Sequence, residues 1–183
     1  YGDTQPNFSL RRIGVANEYN SNQASPVGVY LDDVYLAPRT SHGMGLFDLD
    51  RIEVLRGPQG TLFGRNASMG AMLINTNEPS NSFEGRVSVL AGSYDRLKGE
   101  AMVNLPVTDN FAVRAAILGD QREGYANNLL TGKDVSFSDT FSGRLSAAWD
   151  ITDDIRWVVR GDYQHTTGDG IPISTVVAES VTP

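Results

Sequence analysis

The run DLDRIEVLRGPQGTLFGRNASMGAMLINTNEP, residues 48–79, separates two regions of different character. Upstream the chain is irregular and rich in Gly and Asn; downstream, apolar and polar residues alternate. Within the run, Arg51 to Arg56 alternates as a short strand does, with Ile52 and Val54 on one face and Arg51, Glu53 and Leu55 on the other. Gly57-Pro58 stops that strand, because Pro has no N–H to donate and Gly permits a sharp turn. Gly60, Gly64 and Gly70 serve as turns, Ala71 to Thr76 forms a second short strand, and Pro79 closes the unit.

Working upstream, Val27 to Leu31 and Val34 to Leu36 pair as a hairpin around Asp32-Asp33. Phe8 to Gly14 is a further candidate strand. Asn17 to Ser25 and Arg39 to Gly45 have loop composition, and Leu46 to Leu49 reads as one helical turn. Working downstream, five segments alternate with period two: 83–94, 97–107, 111–120, 140–150 and 155–164. No charged residue falls on the apolar face of any of them. Pro106, one residue from the end of the second segment, marks the start of a short turn.

Two architectures produce such alternation. A soluble sandwich buries the apolar face against a second sheet. A membrane barrel turns that face to lipid and the charged face to a lumen. Three features point toward the barrel. The apolar faces are thinned by Gly85, Gly99, Gly143 and Gly161. Aromatic residues such as Phe83, Tyr94, Phe111, Phe141, Trp149, Trp157 and Tyr163 gather near segment ends. The turns around 108–110 and 151–154 are short, whereas 121–139 is long and polar. On pattern alone both architectures stay open.

Composition narrows the function. The chain has 183 residues and a formal net charge of −7, with 15 basic residues spread thinly, which argues against a nucleic-acid partner. It has no cysteine, so thiolate metal sites and disulfides are excluded. No apolar run is long enough for a membrane helix, a criterion blind to barrels. The start of the chain carries no signal peptide, which implies a processed protein or a fragment. Gly57 to Gly70 lacks the Gly-Lys-Ser/Thr of a phosphate loop, and the acids Asp32, Asp33, Asp48, Asp50 and Glu53 lack calcium-loop spacing, which leaves them turn and cap roles. His42 and His165 stand alone in loops. No catalytic constellation and no cofactor site is apparent, so no enzyme is expected.

The run IEVLRGPQGTLFGRNA at 52–67, with VGVYLDDVYL at 27–36, resembles the plug domain of TonB-dependent outer-membrane receptors. The resemblance implies a mainly β protein. Residues 1–79 would be a plug with a small mixed sheet, and 80–183 the first antiparallel strands of an incomplete transmembrane β-barrel. Family barrels have about 22 strands, so about 17 are unaccounted for. An open barrel edge is untenable in hydrocarbon, so a fragment is expected that alone neither spans a membrane nor transports. The implied function is energy-coupled uptake in the bacterial outer membrane, with a ferric siderophore or other iron complex as substrate. The implied partners are outer-membrane lipid and the inner-membrane TonB complex, reached through a segment absent here.

For individual residues the resemblance implies that Arg56 pairs with acids of the barrel wall and holds the plug, with Glu53 and Arg65 joining the network. The competing reading of Arg56 is a solvated strand-end arginine. Tyr19, Arg39 and His42 lie in plug loops expected to face substrate. The sequence departs from the family pattern at Arg12, Asp33, Met69, Leu73 and Asn77. Met69 stands where a glycine is usual, which puts a left-handed backbone there in question. The alternatives are a soluble β-rich binding module and a receptor acting mainly in signalling.

Overall fold

The structure is a computed structural model that describes residue 8 and residues 25–37, 42–43, 46–64, 66–127 and 134–168. The candidate strand at 8–14 and the residues Tyr19, Arg39 and Arg65 lie outside the described residues, Phe8 excepted.

The first sheet is built from β1 (Val27–Leu31), β2 (Val34–Tyr35), β3 (Leu49–Arg56) and β4 (Gly70–Thr76), in the order β2-β1-β4-β3. It is mixed: β1 and β4 run parallel, and the other pairs are antiparallel. The hairpin at 27–35 turns on Asp32 and Asp33, whose φ values of 45° and 66° are both left-handed, as a type I′ turn demands. Asp tolerates that region better than most side chains. The Asp32 carboxylate also accepts hydrogen bonds from Thr76 N at 2.8 Å and Thr76 Oγ1 at 2.7 Å, which joins the hairpin tip to the end of β4.

Val27, Val29, Ala71 and Ile74 are fully buried and form the core of this sheet. Each buried Val or Ile contributes about 1.5–3 kcal/mol relative to exposure. Gly57, at φ 93°, ends β3 in a conformation closed to most side chains. A single helical turn, α1 (Gly60–Phe63), follows, and its Phe63 carbonyl accepts the Tyr30 hydroxyl at 2.6 Å. Met69 keeps a negative φ, and Gly70, at φ 154°, takes the unusual conformation instead.

Residues 46–49 do not form the helical turn expected of them. Asp48 adopts φ 49°, and β3 begins at Leu49. The left-handed residue breaks any helix, and its carboxylate is committed elsewhere, as shown below.

The second sheet is an antiparallel meander of β5 (Glu84–Gly92), β6 (Arg96–Thr108), β7 (Phe111–Arg122), β10 (Ser138–Thr152) and β11 (Ile155–Gly168). A two-residue pair, β8 (Ala126–Asn127) with β9 (Asp134–Val135), sits in the long connection. The last two wall strands extend beyond their alternating segments. His165 therefore stands within β11 opposite Phe141, not in a loop. Ladder pairing satisfies the backbone whether or not side chains alternate, so strands outlast their hydrophobic pattern. Pro106 lies inside β6, not at a turn. Its tolerance has a local reason: the β5 ladder stops at Glu84↔Asn104, and the β7 register shifts between Pro106 and Thr108.

The exposure of this sheet separates the two architectures. Val87 is 76% exposed, Leu145 60% and Trp157 61%, whereas Arg114 and Arg144 are each 4% exposed and Ser146 1%. A soluble sandwich would bury the first set. Here the apolar face points outward and the polar face packs inward on the first sheet, as a lipid-facing wall around a filled lumen requires. Phe111, Trp149 and Trp157 form one cross-strand aromatic row, and the tilted rings of Phe141 and Tyr163 lie 6.4 Å apart near the opposite end of the strands. The eight positions from Trp149 to Phe141 span about 26 Å along the strand, roughly 20 Å across the membrane at the usual tilt. The architecture is thus a plug with a small mixed sheet, followed by part of a transmembrane barrel.

Candidate functional site: the contact between plug and wall

Ladder register aligns Glu84, Asn104, Arg114, Ser146 and Arg160 in one row across the five wall strands. All occupy lumen-facing positions, and three of them grip the plug or its exit.

Arg114 meets Asp48 side-on. Nε donates to Oδ2 at 2.7 Å and Nη2 to Oδ1 at 2.6 Å, and each side chain is only 5% exposed. Two parallel charge-assisted bonds are the strongest form of this contact. Asn77 adds a third donor, with Nδ2 3.0 Å from Asp48 Oδ1 and its N–H 3.1 Å from the Asp48 carbonyl oxygen. The start of β3 and the end of β4 are therefore tied to the same wall arginine. Burial alone pushes the Asp48 carboxyl up. The hydrogen bonds and charge of Arg114, with Asn77 and the charge of Arg144, outweigh it and hold the group below the usual carboxylate range.

The neighbouring strand captures the preceding residue. Arg144 Nη1 donates to the Phe47 carbonyl at 2.9 Å, and its guanidinium lies 4.7 Å over the Phe47 ring. Its Nε is held by Asp162 at 2.8 Å. The left-handed Asp48 lets one dipeptide offer a ring, a carbonyl and a carboxylate to two adjacent strands.

On β11, Arg160 Nη2 donates to Glu78 at 3.0 Å, and its Nε lies 3.8 Å from Asp32. Arg156 Nη2 donates to the Pro79 carbonyl at 3.2 Å. The connection into β5 is fixed by Asn104, which is fully buried. Its Nδ2 reaches the carbonyls of Ser80 at 2.8 Å and Ser82 at 2.6 Å, and its Oδ1 accepts Ser80 N at 3.1 Å.

Polarity in this contact is consistent: the plug supplies carboxylates and carbonyls, the wall supplies arginines. Of the residues singled out in the sequence, Arg56 stands exposed at the end of β3, opposite Gly70, with no ion pair among the described residues. Glu53 pairs at 2.6 Å with Arg51 on the exposed side of the same strand. His42 is buried at 3% exposure rather than exposed in a loop. Its Nε2 lies 3.2 Å from the Leu36 carbonyl oxygen and its ring 5.9 Å from Phe8. The contacts to Leu36 and Phe8 explain the difference. Sequence reasoning gave Asp48 only a turn or cap role and singled out none of Glu78, Asn104, Arg114, Arg144 and Arg160 as site residues. The polar-face positions of the three arginines were visible in the alternation, but the register that sets them side by side was not.

Among the described residues, no cluster of three or more His, Asp or Glu side chains is placed to hold a metal ion. The contact is a mechanical fastening between a small plug and a membrane wall, and that defines the class: a plugged outer-membrane barrel.

Comparisons with known proteins agree. Residues 1–71 match the family model of the TonB-dependent Receptor Plug Domain. The ferrioxamine B receptor of Salmonella typhimurium is 27% identical over 186 residues, covering 94% of this chain and 26% of that receptor. The pesticin receptor of Yersinia enterocolitica is 30% identical over 130 residues, covering 69% of this chain and 18% of that receptor. The crystal structure of the ferric yersiniabactin uptake receptor of Yersinia pestis superimposes with a TM-score of 0.72 at 25% identity, over 78% of this chain and 23% of that one. The chain carries the plug region of a TonB-dependent receptor and belongs in the bacterial outer membrane. It spans about a quarter of the length of the ferrioxamine B receptor it matches. These relatives are receptors, one of them an uptake receptor.

Proposed function

We propose that the chain is part of a receptor for energy-coupled uptake of a ferric siderophore or other iron complex, driven by the inner-membrane TonB complex and without enzymatic chemistry of its own. The observation that carries this reading is the buried Asp48–Arg114 pair, which fastens a separate sheet inside a wall whose apolar face points outward. The names of the relatives, receptors for ferrioxamine B and ferric yersiniabactin, supply the substrate class. The plug would comprise residues 1–79 and the wall would begin at residue 80.

Arg56 and Arg65, with Glu53, would add a second fastening, to acidic residues of wall strands beyond β11. The exposure of Arg56 supports this, since an unpaired arginine at a strand end is free to take such a partner. Substrate would approach the loops that carry Tyr19, Arg39 and His42. His42 would act there by bracing its loop through Leu36, not by touching substrate.

The test is uptake of radioiron, supplied as ferrioxamine B and as ferric yersiniabactin, by iron-starved cells expressing the complete receptor. Accumulation that disappears when the TonB complex is deleted is the expected result. Surface binding with no energy-dependent accumulation would favour a signalling receptor instead.

A further inference from the structure

The polar grip on the plug is one-sided. Arg114, Arg144 and Arg160 hold it from β7, β10 and β11. Among the described residues, no hydrogen bond or ion pair joins the plug sheet to β5 or β6; Asn104 of β6 binds only the connection at Ser80 and Ser82. Where the grip is missing there is a cavity of about 120 Å³. Phe47, Asp48 and Leu49 line it from the plug, and Arg86, Met102 and Ala116 from the wall. It has room for several waters and polar groups to hold them. Arg86 faces it with no ion pair among the described residues, whereas Glu100 nearby is occupied by Lys98 at 2.7 Å.

Two properties of one plug segment follow from this placement. Its β7–β10 side is closed by a bidentate ion pair whose side chains are each 5% exposed, and breaking it leaves Arg114 only the longer contact to Glu84 at 3.6 Å. Its β5–β6 side faces a cavity large enough for water and is crossed by no polar contact among the described residues, so separating it from the wall breaks no hydrogen bond or ion pair there. Under a pull, the second side yields first.

We propose that the plug opens along β5–β6 while the clamp of Phe47 and Asp48 on Arg144 and Arg114 stays shut, so that substrate passes the plug on the β5–β6 side of the lumen. This rests on the uptake reading above, and the test separates the two. In the complete receptor, Met102→Cys and Ser146→Cys report the two sides: the first lines the cavity, and the second is 1% exposed in the same row as Arg114. Labelling by a membrane-impermeant maleimide is compared in cells with and without the TonB complex, and needs no substrate.

The expected result is faster labelling of Met102→Cys when the TonB complex is present, with Ser146→Cys protected in both. Energy-dependent labelling of Ser146→Cys, or none at Met102→Cys, overturns the proposal. A second measurement uses a cross-link: a bis-maleimide bridge between Leu49→Cys and Met102→Cys, which line the same cavity, should abolish radioiron uptake with surface binding retained. Uptake that survives this bridge also overturns it. Asymmetric labelling in a receptor that accumulates neither iron complex leaves the opening side established and refutes the uptake reading alone.

Discussion

Asp48 and Arg114, 66 positions apart in sequence, close a bidentate ion pair across the boundary between plug and wall. Neither side chain reaches bulk solvent, so the pair acts by what its loss would leave behind. Replacing Asp48 by Ala leaves the buried Arg114 guanidinium only the longer contact to Glu84 at 3.6 Å, at a cost of up to about 3–5 kcal/mol. The complete receptor in detergent should unfold at correspondingly lower denaturant. The double variant Asp48→Leu/Arg114→Met should regain most of that stability, because a well-packed apolar pair substitutes for a buried ionic one. A double variant no more stable than Asp48→Ala would show that packing, not charge, dominates the contact.

The same pair makes stability depend on acid. Burial opposes ionisation of Asp48, but Arg114, Asn77 and Arg144 together set its folded pKa below the ordinary value. A group depressed on folding stabilises fully above its unfolded pKa, about 3.9, and loses that contribution as pH falls through the folded value. Thermal melts should therefore show this contribution constant from neutral pH down to about 5 and declining below about 4. In Asp48→Asn the acid-side decline should be shallower. Parallel curves for the two proteins would assign the acid sensitivity to other carboxylates.

Asn104 governs the exit from the plug. Its amide satisfies backbone groups of both Ser80 and Ser82 from a position with no exposure. Asn104→Ala removes the partner of the half-buried Ser80 and the exposed Ser82 backbone groups, at about 0.5–1.5 kcal/mol. Limited proteolysis should then cut near Ser80–Ser82 well before the wall strands are touched. Unchanged cleavage kinetics would mean that water replaces the amide without loss.

Much of this fold was legible in alternation. Ile52 and Val54 marked β3, and the period-two pattern from Phe83 onward marked each long wall strand. Alternation reports faces, however, and not register. That Asn104, Arg114, Ser146 and Arg160 share a row depends on loop geometry and ladder offsets that no single strand encodes. Asp48 was hidden for a related reason. Its left-handed backbone and its wall partner are tertiary facts, and locally it reads as one more acid in a turn. Pro106 misled because its tolerance depends on where a neighbouring strand stops pairing, which its own sequence does not state.

Leu145 tests which solvent the wall faces. It is 60% exposed on the outward side, near the middle of the apolar band. On a water-soluble sheet Leu145→Arg would be close to neutral. At a bilayer midplane it should destabilise by about 2–4 kcal/mol. Folding of the complete receptor into lipid vesicles, followed by its heat-modifiable gel migration, measures the difference. Equal folding yields for Leu145→Arg and the unmodified chain would contradict a lipid-facing wall.

Arg56 offers the remaining fastening. It ends β3 directly before Gly57 and is exposed, whereas the arginines that hold the plug in this chain are wall residues. Were it only a solvated strand end, Arg56→Ala would change stability by no more than about 0.5 kcal/mol. As a plug residue paired to an acid of a later wall strand, it should matter as much as Arg114 does, because its loss leaves a carboxylate in the lumen without a partner. The complete receptor carrying Arg56→Ala should then lose plug protection from protease and admit antibiotics normally excluded by size. Arg56→Lys should rescue only in part, since an ammonium cannot make the two parallel bonds a guanidinium makes. Wild-type protection in Arg56→Ala would return the residue to the solvent and leave Asp48–Arg114 as the principal charged lock.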